Sequence, residues 1–316
     1  MNNTLAGTNQ RSLWTRGFVL LLIVSLTENL SFINIRTIMT TYAKNDLLIA
    51  SSLLGFLTGA ISIASLFSRP IAGTLLKKHR HKGVLLVSLA GELTVLTLYL
   101  FFRSFGSLVA VRVLHGFFYG ISSATLITMA GNAVPREYMG RGMGIFGFGN
   151  MIGLGISPQL SLAIYEGMGI RALFLSSCIF TACSILLVAL LPQQPLPVRK
   201  QACAERKGLR GLFLPEALPS SFLNFFLQIT YGAISAFIIV YGQSRGWAQV
   251  GLFYTVYAAG SLIVRPTMGK VYDRYGLTPV VLLTTCVFAL GIVLLATTES
   301  FALFLVSAVL LTIGYG

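Results

Sequence analysis

Charge is what this sequence has least of: 23 lysines and arginines and 9 acids among 316 residues, 10% in all. Soluble domains carry about 25% charged residues, so this chain cannot cover itself with a solvated surface. Other chemistry is scarce too. The four cysteines, Cys178, Cys183, Cys203 and Cys286, have no metal-ligand spacing and indicate no disulfide framework. No glycine-rich loop precedes a Lys-Ser/Thr pair, which argues against direct coupling to ATP. Of three histidines, His79 and His81 sit in a lysine-rich run that reads as a solvated loop rather than a metal site. Without a nucleophile–base set or a metal cluster, neither an enzyme nor a cofactor is expected.

What is abundant is apolar: 55% of residues are hydrophobic and the mean hydropathy is +0.81. These residues come in blocks of about 20, the length that crosses a bilayer core as a helix. The blocks predict spans near 17–36, 48–69, 84–103, 107–130, 142–165, 170–191, 217–241, 247–266 and 278–297, with a tenth starting near Ser300. The first block is too long for a signal peptide and lacks a cleavage site, so it reads as a retained helix.

The net charge of +14 follows the spans. Arg11 and Arg16 precede the first; Lys77, Lys78, Arg80 and Lys82 follow the second; Arg136 and Arg141 follow the fourth. Arg199, Lys200, Arg206, Lys207 and Arg210 follow the sixth, and Lys270 and Arg274 the eighth. The opposite loops hold only Arg36, Lys44, Arg103, Arg171 and Arg245. That alternation predicts a cytoplasmic N-terminus in a bacterial inner membrane. The basic runs then read as topology signals and contacts to anionic membrane lipids, not as a nucleic-acid surface.

The stretch LPQQPLPVRKQACAERKGLRG reads as a cytoplasmic linker. It divides a short N-terminal segment (1–16) and a six-helix half (17–191) from a second half (217–316), with 192–216 between them. The halves match at an offset of 196 residues: Arg69-Pro70 with Arg265-Pro266, Gly73 with Gly269, Ser104-Phe105 with Ser300-Phe301, Tyr119-Gly120 with Tyr315-Gly316. A six-helix unit repeated in parallel is a common construction of secondary transporters. On that repeat the second half is incomplete, with about nine to ten helices present in all. Roughly 70 more residues are expected beyond Gly316, and a chain ending there is expected to be unstable.

Local motifs agree. Gly269-x-x-x-Asp273-Arg274-x-Gly276 reads as a tight turn with an acid able to cap a helix; at the matching place in the first half Lys77 replaces the acid. Arg112-x-x-x-Gly116 lies in the fourth span. In the fifth, Gly153-Leu-Gly-Ile-Ser-Pro158-Gln159-Leu-Ser161 puts small residues on one face and a proline where it bends the helix. These motifs resemble those of the major facilitator superfamily, and the third is similar to its antiporter motif with serines at two glycine positions. The resemblance runs from the first helix to the end. It implies an all-α membrane protein built as two six-helix halves around a central cavity, a monomer that rocks to give alternating access. The Arg69-Pro70 and Arg265-Pro266 pairs are expected to end helices at the cytoplasmic surface and to serve gating.

Ionisable groups inside a membrane are costly and are functional candidates by default. Glu28 and Glu92 fall near the middle of the first and third spans; Arg112 and His115 lie in the fourth. Glu28 is the first candidate for binding a coupling proton, Glu92 the second, with Arg112 as partner and His115 as relay. The alternative is a structural Glu28–Arg112 or Glu92–Arg112 pair. Polar residues that fit a substrate cavity are Asn29, Asn34, Asn150, Gln159, Asn224 and Gln228, with Phe225 and Tyr231 as aromatic walls. The expected function is proton-coupled efflux of a small amphipathic drug or metabolite. Proton symport of a sugar, organic acid or peptide is the alternative within transport; a non-transporting receptor or scaffold, or an inactive remnant, lies outside it.

Overall fold

The computed structural model describes residues 13–192 and 252–315, with scattered residues between 218 and 247. Its architecture is all helical among these residues. The first half contains α1 (Arg16–Asn45), α2 (Ser51–Lys78), α3 (His81–Leu98), α4 (Phe105–Ala133), a 3-10 turn (Arg136–Tyr138), α5 (Met139–Phe146) and α6 (Phe148–Ala189). The second half contributes α7 (Leu252–Tyr275), α8 (Leu277–Thr297) and α9 (Phe301–Tyr315). Among the described residues, six segments are long and apolar enough to cross a membrane: 16–45, 52–78, 81–98, 105–133, 163–189 and 277–297. The predicted linker lies outside the described residues apart from Pro192.

Helix ends follow local chemistry. Thr15 caps α1 by accepting from the Phe18 N–H at 3.2 Å, and Ser104 caps α4 through the Ser107 N–H at 3.4 Å. Gly276 takes φ 80°, a value that favours glycine, and so allows the sharp turn from α7 into α8. Gly169 takes φ 81° and breaks α6 into two arms. The first arm runs along α1, with Gly149 beside Ser25 and Gly153 beside Asn29 and Ile33. The second returns along it, with Ser177 and Thr181 against Ser31 and Ser184 against Thr27.

Two expectations about boundaries need correcting. The first helix runs nine residues past 36, to Asn45, because Ile38, Met39, Tyr42 and Ala43 stay buried in an apolar cluster with Leu57, Tyr99 and Phe174. Pro70 and Pro266 do not end their helices: both lie inside, and α2 and α7 continue to Lys78 and Tyr275. A proline forfeits one backbone hydrogen bond and bends the helix, and neighbouring helices hold the rest in place. The Gly269–Gly276 motif is therefore helical until its last residue, and only Gly276 is a turn.

The first half is layered along its axis. One apolar cluster joins Phe18, Leu21, Val24, Leu85, Leu89, Leu126 and Met129; another joins Ile35, Ile38, Met39, Leu96, Tyr99, Leu108 and Phe174. Between them α1, α3, α4 and α6 present buried polar groups, among them Glu28, Asn34, Glu92, Arg112, His115, Ser122 and Thr181. Close helix approach shields this layer from solvent. A Cβ added at Gly116 would meet the Ile61 backbone of α2, and one at Gly120 would meet Ser65. Large apolar side chains also stand exposed on α2, with Phe56 and Phe67 each 71% exposed.

Candidate functional site

Four of the sequence-derived candidates meet in the polar layer. Ser122 donates to Glu28 Oε1 and lies 3.3 Å from Glu92 Oε2. Glu92 Oε1 is 3.6 Å from His115 Nε2, and His115 Nδ1 is 3.3 Å from the Tyr99 hydroxyl. Tyr99 in turn lies beside the Arg112 guanidinium. The result is a continuous polar path, Glu28–Ser122–Glu92–His115–Tyr99–Arg112, through a region of almost no solvent exposure. Phe32 and Tyr119 stack face to face over it, with ring centroids 3.6 Å apart.

The Glu–Arg pair of the alternative, structural reading is not formed. Among the described residues no ion pair joins Arg112 to Glu28 or Glu92. His115 occupies the place between Glu92 and Arg112, and Arg112 Nε and Nη1 are buried without a hydrogen-bond partner. Asn34 is likewise buried with both side-chain polar atoms unpartnered. Such groups are costly in a dry interior unless a ligand, water or another conformation satisfies them.

Sequence reasoning missed Ser122, Tyr99 and the Phe32–Tyr119 stack. Spacing carried part of the signal: Ser122 follows His115 by seven residues, two helical turns, and so shares its face. The other link, from α4 across to α1 and α3, required the packing.

Elsewhere the candidates separate. Asn150 donates to Asn29 Oδ1 at 2.9 Å, and Asn29 donates to the Ser25 carbonyl at 2.7 Å, which pins α6 to α1. A Cβ at Gly153 would lie 3.1 Å from Asn29 Cβ, so that motif glycine serves the same contact. Pro158 and Gln159 lie within α6, and the surroundings of their side chains fall outside the description. Asn224 and Phe225 are exposed; Gln228 and Tyr231 lie outside the described residues. Arg69 and Gly73 are exposed on α2.

A second constellation joins the two halves. The Asp273 carboxylate accepts from the backbone N–H groups of Gly140 and Arg141 at 2.8 and 3.1 Å, at the start of α5. An acid there also meets the positive end of the helix dipole. A Cβ at Gly269 would lie 2.8 Å from Arg141 Cα, and one at Gly144 would lie 2.8 Å from the Arg265 carbonyl. Glycines thus let α5 and α7 cross backbone to backbone. The first half has Lys77, exposed, where the repeat would place the equivalent acid. Replacing Asp273 with alanine is expected to remove both hydrogen bonds, worth about 0.5–1 kcal/mol each at this exposed position, and to widen this crossing. Spin-label distances between cysteines placed at 137 and 274 should lengthen; an unchanged distance distribution would deny the contact a closing role.

Residues 20–316 match the sequence profile of the Major Facilitator Superfamily. The chain belongs to this superfamily. Multidrug resistance protein MdtG of Serratia proteamaculans (strain 568) is 27% identical over 230 residues, which make up 68% of this chain and 55% of MdtG. The staphylopine export protein of Staphylococcus aureus (strain Mu50 / ATCC 700699) is 24% identical over 265 residues, 78% of this chain and 66% of that protein. The chain therefore spans little more than half the length of the MdtG relative. Among solved structures, the human organic anion transporter MFSD10 (TETRAN) superposes with a TM-score of 0.72 at 17% identity, over 95% of this chain and 82% of that one. At that identity the likeness is one of fold. As a member of the superfamily, this is a multi-pass membrane protein of a transporter family.

Proposed function

We propose that this superfamily member carries out proton-coupled efflux of a small amphipathic compound from a bacterial cytoplasm, by alternating access and as a monomer with a cytoplasmic N-terminus. The observation that carries the coupling is the pair of buried carboxyls, Glu28 and Glu92, bridged by Ser122. Two buried carboxyls that reach one hydroxyl from different helices are placed so that a proton can be shared between them, and such groups inside a membrane are functional candidates by default. Glu28 is the coupling group, Glu92 shares its proton, and the His115–Tyr99–Arg112 branch extends the path along α3 and α4. The export direction rests on the relatives, one named for multidrug resistance and one for staphylopine export.

The test is directional flux. Everted membrane vesicles carrying the protein should accumulate an apolar fluorescent cation, ethidium, when energised, and lose it on addition of a protonophore. Accumulation in right-side-out vesicles instead would support uptake. Binding without flux in either orientation would point to a receptor or scaffold.

A further inference from the structure

Where α5 and α7 cross, two basic residues borne on neighbouring stretches of backbone line one largely apolar groove. Arg141 comes from the first half and Lys270 from the second. Their backbones are neighbours, since Gly269, which precedes Lys270, sits against Arg141 Cα. Both side chains line one groove of 390 Å³, whose remaining walls include Leu22, Leu26, Ile152 and the indole of Trp14. Among the described residues neither cation has an acidic side chain within ion-pair distance. Asp273, the nearest acid along α7, is engaged by the Gly140 and Arg141 backbone N–H groups. Arg274 lies over the Tyr275 ring, 5.2 Å from its centroid.

We infer that this groove is a binding site for an anionic phospholipid whose headgroup phosphate bridges Arg141 and Lys270 while its acyl chain lies along the apolar wall. Three features of the groove select that ligand. Two like charges borne on neighbouring stretches of backbone and facing one groove repel one another, and an anion taken up between them relieves that repulsion. Guanidinium and ammonium groups both bind phosphate, the first as a fork and the second as a point charge. Trp14, 56% exposed beside the cations, is the side chain that settles at the level of lipid headgroups. Basic pockets between membrane helices on the cytoplasmic side take anionic headgroups in this way. A zwitterionic lipid brings its own ammonium group against the two cations and binds more weakly. Because the phosphate touches both halves, the bound lipid also favours the state in which α5 and α7 are crossed. The groove takes the lipid and not the cargo, so its occupancy is tested separately from flux.

Trp14 supplies the test, since the chain has two tryptophans and Trp247→Phe leaves it alone. The purified protein, reconstituted in phosphatidylcholine bilayers, is titrated with brominated phosphatidylglycerol or brominated phosphatidylcholine, and Trp14 fluorescence is followed. Phosphatidylglycerol is expected to bind about tenfold better. In the Arg141→Gln/Lys270→Gln variant that preference should vanish while quenching by brominated phosphatidylcholine stays. Equal quenching by the two lipids before those substitutions overturns the proposal. So does a preference that survives both, which would credit the exposed Arg16 near Trp14. Native mass spectrometry of the unsubstituted protein makes the same headgroup comparison should a variant fail to fold: retention of phosphatidylglycerol over phosphatidylcholine is expected, and equal loss of both counts against the site.

Discussion

Glu28→Gln is expected to cut proton-gradient-driven transport by about 100-fold, the scale of losing a positioned proton-transfer group, while leaving gradient-free exchange of the same cargo largely intact. Glutamine keeps the volume of the side chain and can still accept from Ser122 on α4, so packing of α1 against α4 survives. What it cannot do is gain and lose a proton. Glu92→Gln should give a smaller loss, about tenfold, because Glu92 reaches the bridge at the longer 3.3 Å contact and leans also on His115. Ser122→Ala separates the two readings of the layer. If the carboxyls share a proton through the hydroxyl, its removal weakens coupling and leaves the fold; if the layer is only structural, it lowers thermal stability and leaves the coupling ratio unchanged. The measurement is flux in proteoliposomes with and without an imposed pH gradient. Undiminished gradient-driven flux in Glu28→Gln would remove Glu28 from the mechanism.

The second large effect is on folding. Gly116→Val should cost about 3 kcal/mol or more and yield little folded protein. The new Cβ would lie 2.9 Å from the Ile61 Cα and carbonyl carbon, and backbone atoms of a packed helix cannot swing aside as a side-chain end can. Gly120→Val should behave alike against Ser65, whose Cα would lie 2.9 Å from the added Cβ. Gly59→Ala on α2 is the control: a Cβ there meets nothing within 4 Å, so the change should be neutral to within about 0.5 kcal/mol. Detergent-solubilised yield and melting temperature check all three. Equal stability of Gly116→Val and Gly59→Ala would mean that α2 and α4 are not in this close contact.

Glycine of the Arg112-x-x-x-Gly116 motif thus has a packing reason, and this reason also explains the site. Close approach of α2 to α4 excludes water from the layer that holds His115 and Ser122. The polar layer and the close packing share one helix: His115 and Ser122 lie on α4 beside Gly116 and Gly120, which meet α2.

Much of this was legible in the residues themselves. Scarce charge and long apolar blocks make a soluble fold untenable, so helices and a membrane follow from composition alone. The 196-residue offset and the Arg-Pro pairs marked a duplicated unit, and Glu28, Glu92, Arg112 and His115 stood out because charge is costly in lipid. Tertiary structure decided the rest. Whether Pro70 ends a helix or bends it depends on the neighbours that hold the next turn, and the buried residues of 38–43 decided how far α1 extends. Whether Arg112 meets a glutamate depends on which side chains lie between them, and His115 does. That Asp273 caps a helix of the other half, with Arg141 and Lys270 set beside one another, could not be read from positions more than 120 residues apart in the chain. Periodicity along one helix reports which residues share a face; only the packing of several faces settles which residues touch.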